Sequence, residues 1–203
     1  MSPRRLLILF AHPAYQKSLI NRELVVAVGS MTGVTTNDLY ELYPDFYIDI
    51  AREQQLLLDH DVIVWQHPFY WYSSPAILKQ WEDLVLEYGF AYGKNGTKLR
   101  GKLVLSAISM GGPFSAYSRE GYNYFTVREF LAPFEQTARL CGMTYLPPFV
   151  VPGVLWMTEE DDIRRYRAAY RRLLEALRDD EIPVDKLLAF PTLNDALALL
   201  KTS

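Results

Sequence analysis

The fold is decided by the stretch Val62-Ile63-Val64-Trp65-Gln66-His67-Pro68-Phe69-Tyr70-Trp71-Tyr72-Ser73-Ser74-Pro75. Its apolar start predicts a buried strand, and a helix with apolar residues three and four positions apart follows from Pro75, where the missing N–H of proline costs least. The segment from Trp65 to Pro75 is therefore predicted to be a loop at the carboxyl end of a strand, where open α/β sheets bind ligands. Four aromatic rings lie between the two prolines of this loop. Because such rings are costly to leave in water, we expect a planar cofactor to cover them.

The same alternation of strand and helix runs through the rest of the chain. Strands are predicted at Leu6–Ala11, Val34–Tyr40, Val62–Val64, Leu103–Ile108 and about Met143–Val151. Helices are predicted from near Ser18, after the cap Asp49, from Pro75, from about Thr126 to Leu140, and after the cap Thr158. This order predicts an α/β fold, a flavodoxin-like doubly wound five-stranded parallel sheet in the order 2-1-3-4-5 with helices on both faces.

We expect one folding unit with a short extension. Residues 1–183 are predicted to form the flavodoxin-like, flavin-binding domain, and residues 184–203 a C-terminal extension of the same unit. The extension contains a predicted short helix from Thr192 to Leu200. It lies outside the five βα units, so it packs either on its own domain or on a partner subunit.

Composition excludes several functional classes. A net charge of −3 over 203 residues argues against a nucleic-acid binder. The single cysteine, Cys141, excludes an internal disulfide and is expected to be a buried, inert thiol. The three histidines have no Cys or carboxylate cluster nearby, so no metal site is expected. The amino-terminal apolar run is too short for a signal peptide or a membrane span, and we expect a soluble cytoplasmic protein.

Three predicted strands end in unusual loops at one edge of the sheet, after Ala11, after Gln66 and after Ser109. In the order 2-1-3-4-5 these strands flank the switch point of the fold, where ligands bind. The first loop leads into a helix N-terminus, which favours a phosphate, and His12 and Ser18 could add donors. The alternative is a loop that Ser18 simply caps. Since no Walker or Gly-x-Gly-x-x-Gly pattern is present, we expect neither a nucleoside triphosphate nor a dinucleotide bound on a glycine fingerprint.

The other two loops suit the edges of a flat ring system. Backbone N–H groups of the Pro68–Trp71 loop could face one edge, with Trp71 packed along the ring. Gly111 and Gly112 carry no side-chain bulk and permit close backbone approach, although an ordinary turn would use the same residues. Because a phosphate end, an aromatic wall and a glycine edge coincide at one switch point, the sequence predicts an FMN site.

The segments that make up this site also resemble a known family. They are His12-Pro13, Ser18–Asn21, Leu42–Phe46 with Ile48–Ile50, and Trp65–Pro68 with Trp71–Ser73, extended by Gly89–Gly93, Ser109–Gly112 and Leu146–Phe149. Over about residues 5–180 the chain resembles the flavodoxin-fold NAD(P)H:quinone oxidoreductases. It is most similar to the ancillary proteins of glutathione-regulated potassium-efflux antiporters, and the aromatic loop is the most specific part of the resemblance.

The resemblance implies a set of flavin contacts. They fall at His12, at Ser18, Leu19, Ile20 and Asn21 near the phosphate, at Pro68, Phe69, Tyr70 and Trp71 along the ring, at Ser109, Met110, Gly111 and Gly112, and at Tyr117. In the quinone reductases a histidine six residues after that tyrosine helps the flavin to carry charge during hydride transfer. Asn123 stands at this place, so Tyr117 and Asn123 are the catalytic candidates. Asparagine cannot take up a proton near neutral pH, which puts the charge-relay role in question.

The implied function is an FMN-dependent NAD(P)H:quinone oxidoreductase that works by ping-pong hydride transfer through flavin N5. The resemblance favours FMN over FAD, because the family members that this chain resembles use FMN. The alternative is a regulatory ancillary subunit of a potassium-efflux antiporter, held at the inner face of the membrane, in which the flavin is mainly structural. The family also implies a homodimer in which each subunit completes the other's site. Tyr88, Phe90 and Tyr92 either contribute to that interface or form a locally packed loop.

Overall fold

The computed structural model describes residues 2–157 and 160–202 and is built around a parallel sheet. Its strands are Leu6–Phe10 (β1), Val34–Asp38 (β2), Val62–Pro68 (β3), Leu103–Ser109 (β4), Thr144–Tyr145 (β5) and Phe149–Val151 (β6). They lie in the order β2-β1-β3-β4-β5, with β6 paired to the carboxyl half of β4. The predicted strand order is confirmed.

Helices cover both faces of this sheet, as predicted. They are Ile20–Val28 (α1), Leu39–Leu42 (α2), Ile50–Asp59 (α3), Ala76–Val85 (α4), Val127–Phe130 (α5), Ala132–Leu140 (α6), Glu160–Arg178 (α7), Val184–Leu188 (α8) and Leu193–Ala196 (α9). On one face α1 and α7 pack against Leu6, Ile8 and Phe10. On the other, α3, α4 and α6 pack against Leu7 and Leu9. Because both faces are covered, β1 is buried along its whole length, which explains its continuous apolar run.

The strand β3 extends further than the sequence suggested. Trp65, Gln66, His67 and Pro68 were predicted to begin the loop, but they continue β3 and are buried. Their backbone pairs with β4 as far as Pro68 opposite Ser109, and the Trp65 ring packs on Phe134 and Tyr145 in the core. The prediction that the loop begins at Trp65 was wrong because this central strand has room for large rings beneath α6. The loop begins at Phe69.

Prolines divide two other predicted elements. The strand predicted over Met143–Val151 forms β5 and β6, separated by Pro147 and Pro148, which lack the N–H that a sheet ladder needs. The helix predicted from Thr126 to Leu140 does begin directly after Thr126, which is its cap and forms a capping box with Glu129. It is interrupted at Leu131, since Pro133 cannot continue a helix but is well placed in the first turn of the next one.

The segment after Pro183 packs on its own domain. Thr192 caps α9, and Leu193 and Ala196 are buried beside α7. The Asn194 amide closes the open edge of β6, because its Oδ1 accepts from Val150 N–H at 2.8 Å and its Nδ2 donates to Val150 O at 2.9 Å.

The predicted cap Thr158 lies outside the described residues. Among residues 2–157 and 160–202, no helix combines the length and apolarity that crossing a bilayer requires.

Candidate functional site

The three predicted loops meet in one cavity at the carboxyl edge of the sheet. Its volume is about 470 Å³, within the range of small-molecule sites. All but one of the predicted cofactor contacts line it: His12, Ser18, Leu19, Ile20, Asn21, Pro68, Phe69, Tyr70, Trp71, Ser109, Gly111, Gly112 and Tyr117. The exception is Met110. The sequence therefore located 13 of the 17 residues that line this cavity.

Backbone hydrogen bonds hold the loops against one another. The Phe69 N–H donates to Ser109 O at 2.8 Å, which ties the aromatic loop to β4. Met110 donates its N–H to Val151 O at 2.8 Å and accepts from Val154 N–H at 3.0 Å, which ties β4 to the loop after β6. Met110 is thereby turned into the core and lies behind the cavity wall, contrary to the prediction. The Phe69 N–H is also already engaged, so Tyr70 and Trp71 are the loop residues whose N–H groups could meet a ligand.

The N-terminus of α1 forms one end of the cavity. Ser18 Oγ accepts from Asn21 N–H at 3.1 Å, as expected of a cap. The N–H groups of the first helical turn have no partner within the helix, and with the positive end of the helix dipole they favour an anion. Lys17 lines the same end and adds a positive charge. Lys17 was not among the predicted contacts, although a lysine directly before a helix that is expected to bind phosphate is a usable signal.

His12 is held as a neutral imidazole beside this end. Its Nδ1 accepts from Ala14 N–H at 3.1 Å, so the ring proton sits on Nε2. Burial lowers its pKa, outweighing the backbone hydrogen bond that raises it, and so favours the same neutral form. The ring contacts Tyr70 edge to face at 6.0 Å between centroids. His12 therefore offers the cavity a hydrogen-bond donor that carries no charge near neutral pH.

Asn21 has an unsatisfied acceptor in the cavity wall. Its Nδ2 donates to Ser109 Oγ at 2.7 Å, and its backbone oxygen accepts from Gln66 Nε2 at 3.2 Å. Its Oδ1 is buried and has no hydrogen-bond partner within the part of the chain that the structure describes. Buried polar atoms in native proteins are rarely left without a partner. Asn21 Oδ1 therefore indicates a ligand with a hydroxyl or N–H group at this point.

The aromatic loop is a strained turn. Trp71 and Tyr72 both have positive φ angles, 49° and 64°, and the Ser73 N–H donates to Tyr70 O at 3.0 Å across them. Tight turns of this kind normally use Gly or Asn, because a bulky residue in the left-handed region costs about 1–2 kcal/mol. Trp71 is 93% exposed at the cavity, whereas Phe69, one of the four rings that a cofactor was expected to cover, is buried by the protein itself. Such strain is typical of functional sites, where it holds side chains in a required position.

The two predicted catalytic residues, Tyr117 and Asn123, do not both line the cavity. Tyr117 lines the cavity, but Asn123 does not. Asn123 Oδ1 instead accepts from the Tyr72 hydroxyl at 3.1 Å, and its own N–H donates to Ala116 O at 2.9 Å. Burial and the neighbouring Tyr72 raise the pKa of Tyr117, and the nearby Gly112 backbone opposes this in part. Asn123 therefore contacts a residue of the cavity wall, Tyr72, rather than the cavity itself.

Tyr72, Val154 and Leu155 also line the cavity and were not among the predicted contacts. Leu155 lies over Gly111 so closely that a Cβ on that glycine would be 3.1 Å from its Cδ1. The available signal was the pair Leu155-Trp156, two large apolar residues in the loop after the last strand, both exposed.

The predicted interface loop divides into two parts. Phe90 and Tyr92 pack against the core of their own chain. Tyr88 is exposed and its ring lies edge to face on Tyr92, over Gly93. Of these three residues, only Tyr88 remains available for contact with another subunit.

Comparisons with known proteins place this fold and cavity in context. A family model described as having a flavodoxin-like fold matches residues 4–174. The chain is 48% identical over 155 residues to an uncharacterized NAD(P)H oxidoreductase, YrkL, of Bacillus subtilis, covering 76% of this chain and 89% of the relative. It is 43% identical over 175 residues to the glutathione-regulated potassium-efflux system ancillary protein KefG of Erwinia tasmaniensis, covering 85% and 94%.

Two solved structures are also similar. General stress protein 14 of Treponema denticola, determined in complex with FMN, has a TM-score of 0.81 and 39% identity, covering 85% of this chain and 99% of that one. An NADPH-quinone reductase of P. pentosaceus has a TM-score of 0.76 and 34% identity, covering 83% and 96%.

Proposed function

This chain belongs to the flavodoxin-like fold family, and we propose that it is an FMN-dependent NAD(P)H:quinone oxidoreductase. The observation that carries the proposal is the single cavity that joins a helix N-terminus, a strained aromatic turn and a glycine edge. The relatives named NAD(P)H oxidoreductase and NADPH-quinone reductase support the activity, and the FMN complex of the Treponema protein supports the cofactor.

The residues of the cavity fit FMN. The phosphate would meet the N-terminus of α1 with Lys17, Ser18 and the neutral His12. A ribityl hydroxyl would supply the donor that the buried Asn21 Oδ1 lacks. Gly111 and Gly112 both line the cavity, so their backbone could meet one ring edge, and the exposed Trp71 ring would gain a flat partner. The cavity therefore meets each part of the cofactor with suitable chemistry.

The chain positions and polarises its ligands. When bound, FMN would supply the redox chemistry, which is ping-pong transfer of a hydride from NAD(P)H to a quinone through its N5. The N–H groups of Tyr70 and Trp71 would orient one ring edge. The Gly111 N–H and the Tyr117 hydroxyl would stabilise negative charge at the opposite edge, where fixed donors are most effective. Asn123 holds no proton that could be transferred near neutral pH, so the proton for the acceptor would come from solvent.

A second role, as an ancillary subunit of a potassium-efflux antiporter, is favoured by the KefG relatives. The two roles are compatible in one cytoplasmic protein, which the antiporter would hold at the inner face of the membrane. A homodimer is part of the proposal, because Trp71 and Leu155, which line the cavity, and Tyr88 of the predicted interface loop are exposed large apolar residues. Apolar residues exposed at a binding cavity are typical of an interaction site.

The function is tested by the visible spectrum of the purified protein after incubation with FMN, before and after anaerobic NADPH. We expect a bound flavin spectrum that bleaches with NADPH and returns when a benzoquinone is added. Bound flavin that neither NADPH nor NADH reduces would favour the ancillary role with a structural flavin. Failure to bind FMN would contradict both.

Replacing Trp71 separates its two effects on the protein. The Trp71→Ala variant is expected to raise the dissociation constant for FMN about tenfold, since an aromatic contact contributes about 1 kcal/mol or more. Trp71→Gly should weaken FMN binding to the same extent. Its free energy of unfolding should be about 1 kcal/mol higher than that of Trp71→Ala, because glycine adopts the positive φ without strain. Fluorescence titration with FMN and urea denaturation measure the two quantities.

Trp156→Ala is the matched control, because Trp156 is an exposed tryptophan that does not line the cavity. It is expected to bind FMN as the parent protein does. Unchanged flavin affinity in Trp71→Ala would count against the assignment of Trp71 to the flavin ring.

A further inference from the structure

A glutamine is fully buried in the central strand β3, between α1 and α7. Burying an amide costs free energy unless its groups find hydrogen-bond partners. The Gln66 Oε1 accepts from the Tyr170 hydroxyl of α7 at 2.9 Å, and its Nε2 donates to the backbone oxygen of Asn21 in α1 at 3.2 Å. One side chain of the sheet thus joins α1 to α7.

The directions of these two hydrogen bonds are fixed by the chain itself. The backbone oxygen of Asn21 can only accept, so Gln66 must present its NH₂ group to it. The Gln66 Oε1 then faces Tyr170, whose hydroxyl has to donate. Tyr170 is fully buried, and its ring packs on Phe149 at 5.2 Å between centroids. The packed Tyr170 ring therefore holds its hydroxyl at Gln66, and this contact sets the orientation of the amide.

The bond from Gln66 acts on the first turn of α1. The helix begins at Ile20, so Asn21 is its second residue. A carbonyl at this position accepts a hydrogen bond within the helix, so the bond from Gln66 is not needed to form α1. Its effect is to fix the first turn relative to β3. Leu19 and Ile20 at the same end line the cavity, where the free N–H groups of the turn favour an anion.

Other contacts between α1 and α7 lie further along α1. Arg167 pairs with Glu23 at 3.0 Å, and Arg171 Nη1 donates to Ala27 O at 2.9 Å. These contacts hold the middle and the carboxyl end of α1, whereas the bond from Gln66 is buried and lies at the cavity end. Losing the Gln66 bond should therefore displace the first turn rather than the whole helix.

We propose that Gln66 and Tyr170 are positioning residues for the phosphate of the flavin cofactor. Gln66 holds the first turn of α1 through the Asn21 carbonyl, and Tyr170 sets the direction of the Gln66 amide. Neither Gln66 nor Tyr170 lines the cavity, so both act through α1. The inference rests on the proposed function for its ligand, FMN, and does not require hydride transfer.

The test compares FMN with riboflavin, which has the same ring and ribityl chain but no phosphate. The dissociation constant of riboflavin divided by that of FMN measures the contribution of the phosphate. Fluorescence titration of the full-length protein, freed of bound flavin, gives both constants. Gln66→Met removes both hydrogen bonds at similar volume and should lower this ratio about two- to tenfold, the value of one hydrogen bond. Tyr170→Phe should lower it less, because Gln66 can still donate to Asn21.

Tyr145→Phe is the matched control. Tyr145 is also a buried tyrosine, and its hydroxyl forms a buried hydrogen bond with Ser106 Oγ at 2.8 Å. It belongs to the core on the opposite face of the sheet and does not line the cavity. Tyr145→Phe and Tyr170→Phe should lower the midpoint of urea denaturation alike, but only Tyr170→Phe should lower the flavin ratio. A general loss of stability weakens the binding of FMN and riboflavin equally and leaves their ratio unchanged.

An unchanged ratio in both Gln66→Met and Tyr170→Phe would overturn the inference. If Gln66→Met does not fold, Tyr170→Phe decides, because it removes a single oxygen. A parent protein that binds riboflavin as tightly as FMN would also overturn it, since the phosphate would then contribute nothing. Bound flavin that neither NADPH nor NADH reduces would contradict the reductase alone, and a lowered ratio in the variants would still support the inference.

Discussion

Replacing Glu53 with alanine is expected to lower the free energy of unfolding by about 3–5 kcal/mol, as when one member of a buried charged network is removed. Glu53 is fully buried on α3. Its Oε1 accepts from the Tyr43 hydroxyl at 2.7 Å and from Arg52, and its Oε2 accepts from Asn37 Nδ2 and Trp81 Nε1, each at 2.8 Å. One carboxylate thus joins β2, α3 and α4. Without it, the buried donors of Asn37 and Trp81 lose their partner.

The loss is measured by urea or guanidinium denaturation at pH 7. Glu120→Ala is the control, because Glu120 is exposed, and we expect it to change stability by less than about 0.5 kcal/mol. The free energy of unfolding of Glu53→Gln should lie between those of Glu53→Ala and Glu120→Ala. The amide oxygen of glutamine can accept some of these hydrogen bonds, but its NH₂ group would face other donors. A Glu53→Ala variant within 1 kcal/mol of the parent would show that the network contributes little to stability.

Glu53 also shows where sequence analysis of the fold reached its limit. Asp49 was correctly predicted to cap α3, because capping depends on local chain geometry: its Oδ1 accepts from Arg52 N–H at 3.0 Å. Four residues further on, a glutamate in a helix is indistinguishable from a solvent-exposed one. Its burial depends on Trp81 and Asn37, which reach it from other elements. No local pattern contains that information.

The sheet order and the location of the site were predictable for the opposite reason. Continuous apolar runs identify strands that are covered on both faces, and alternation with helices restricts the topology to few solutions. The strand order then places the loops after β1, β3 and β4 at one edge of the sheet, independently of their side-chain contacts. The sequence therefore predicted 13 of the residues that line the cavity and missed Lys17, Tyr72, Val154 and Leu155.

What the sequence could not predict was the direction of individual groups. Met110 lies between two residues that belong to its predicted set, yet its backbone bonds to Val151 and Val154 turn it into the core. Asn123 was expected beside Tyr117 but is held by Ala116 and bonded to Tyr72. Both outcomes follow from hydrogen bonds that form only once the loops have been brought together.

Two buried ionisable groups outside the cavity are expected to give opposite pH dependence of stability. Burial raises the pKa of Glu82, whose Oε1 has no partner among the described residues, to about 7. Burial lowers the pKa of His67 in β3 to about 4, more than its contact with Pro68 O raises it. The raised Glu82 pKa gives stability that is present below its unfolded value and lost as pH rises through 7. The lowered His67 pKa gives stability that is present above 6.5 and lost as pH falls through 4.

Between roughly pH 4.5 and 6.5 the two contributions therefore oppose each other at about 1.4 kcal/mol per pH unit each, and they largely cancel in the parent protein. We expect Glu82→Gln to match the parent near pH 4.5 and to be more stable by about 3 kcal/mol at pH 8, because the variant no longer has to ionise a buried carboxyl. His67→Leu should instead gain stability relative to the parent as pH falls from 6.5 to 4.

Urea denaturation from pH 4 to pH 8 measures both slopes as differences from the parent, so that the remaining ionisable groups, including the buried His12, cancel. The Glu82→Gln/His67→Leu double variant should show both differences together, since the two groups titrate separately. A Glu82→Gln profile parallel to that of the parent would mean that the Glu82 carboxyl reaches solvent. In that case ionising the Glu82 carboxyl costs no stability, and the contributions of Glu82 and His67 do not cancel in the parent protein.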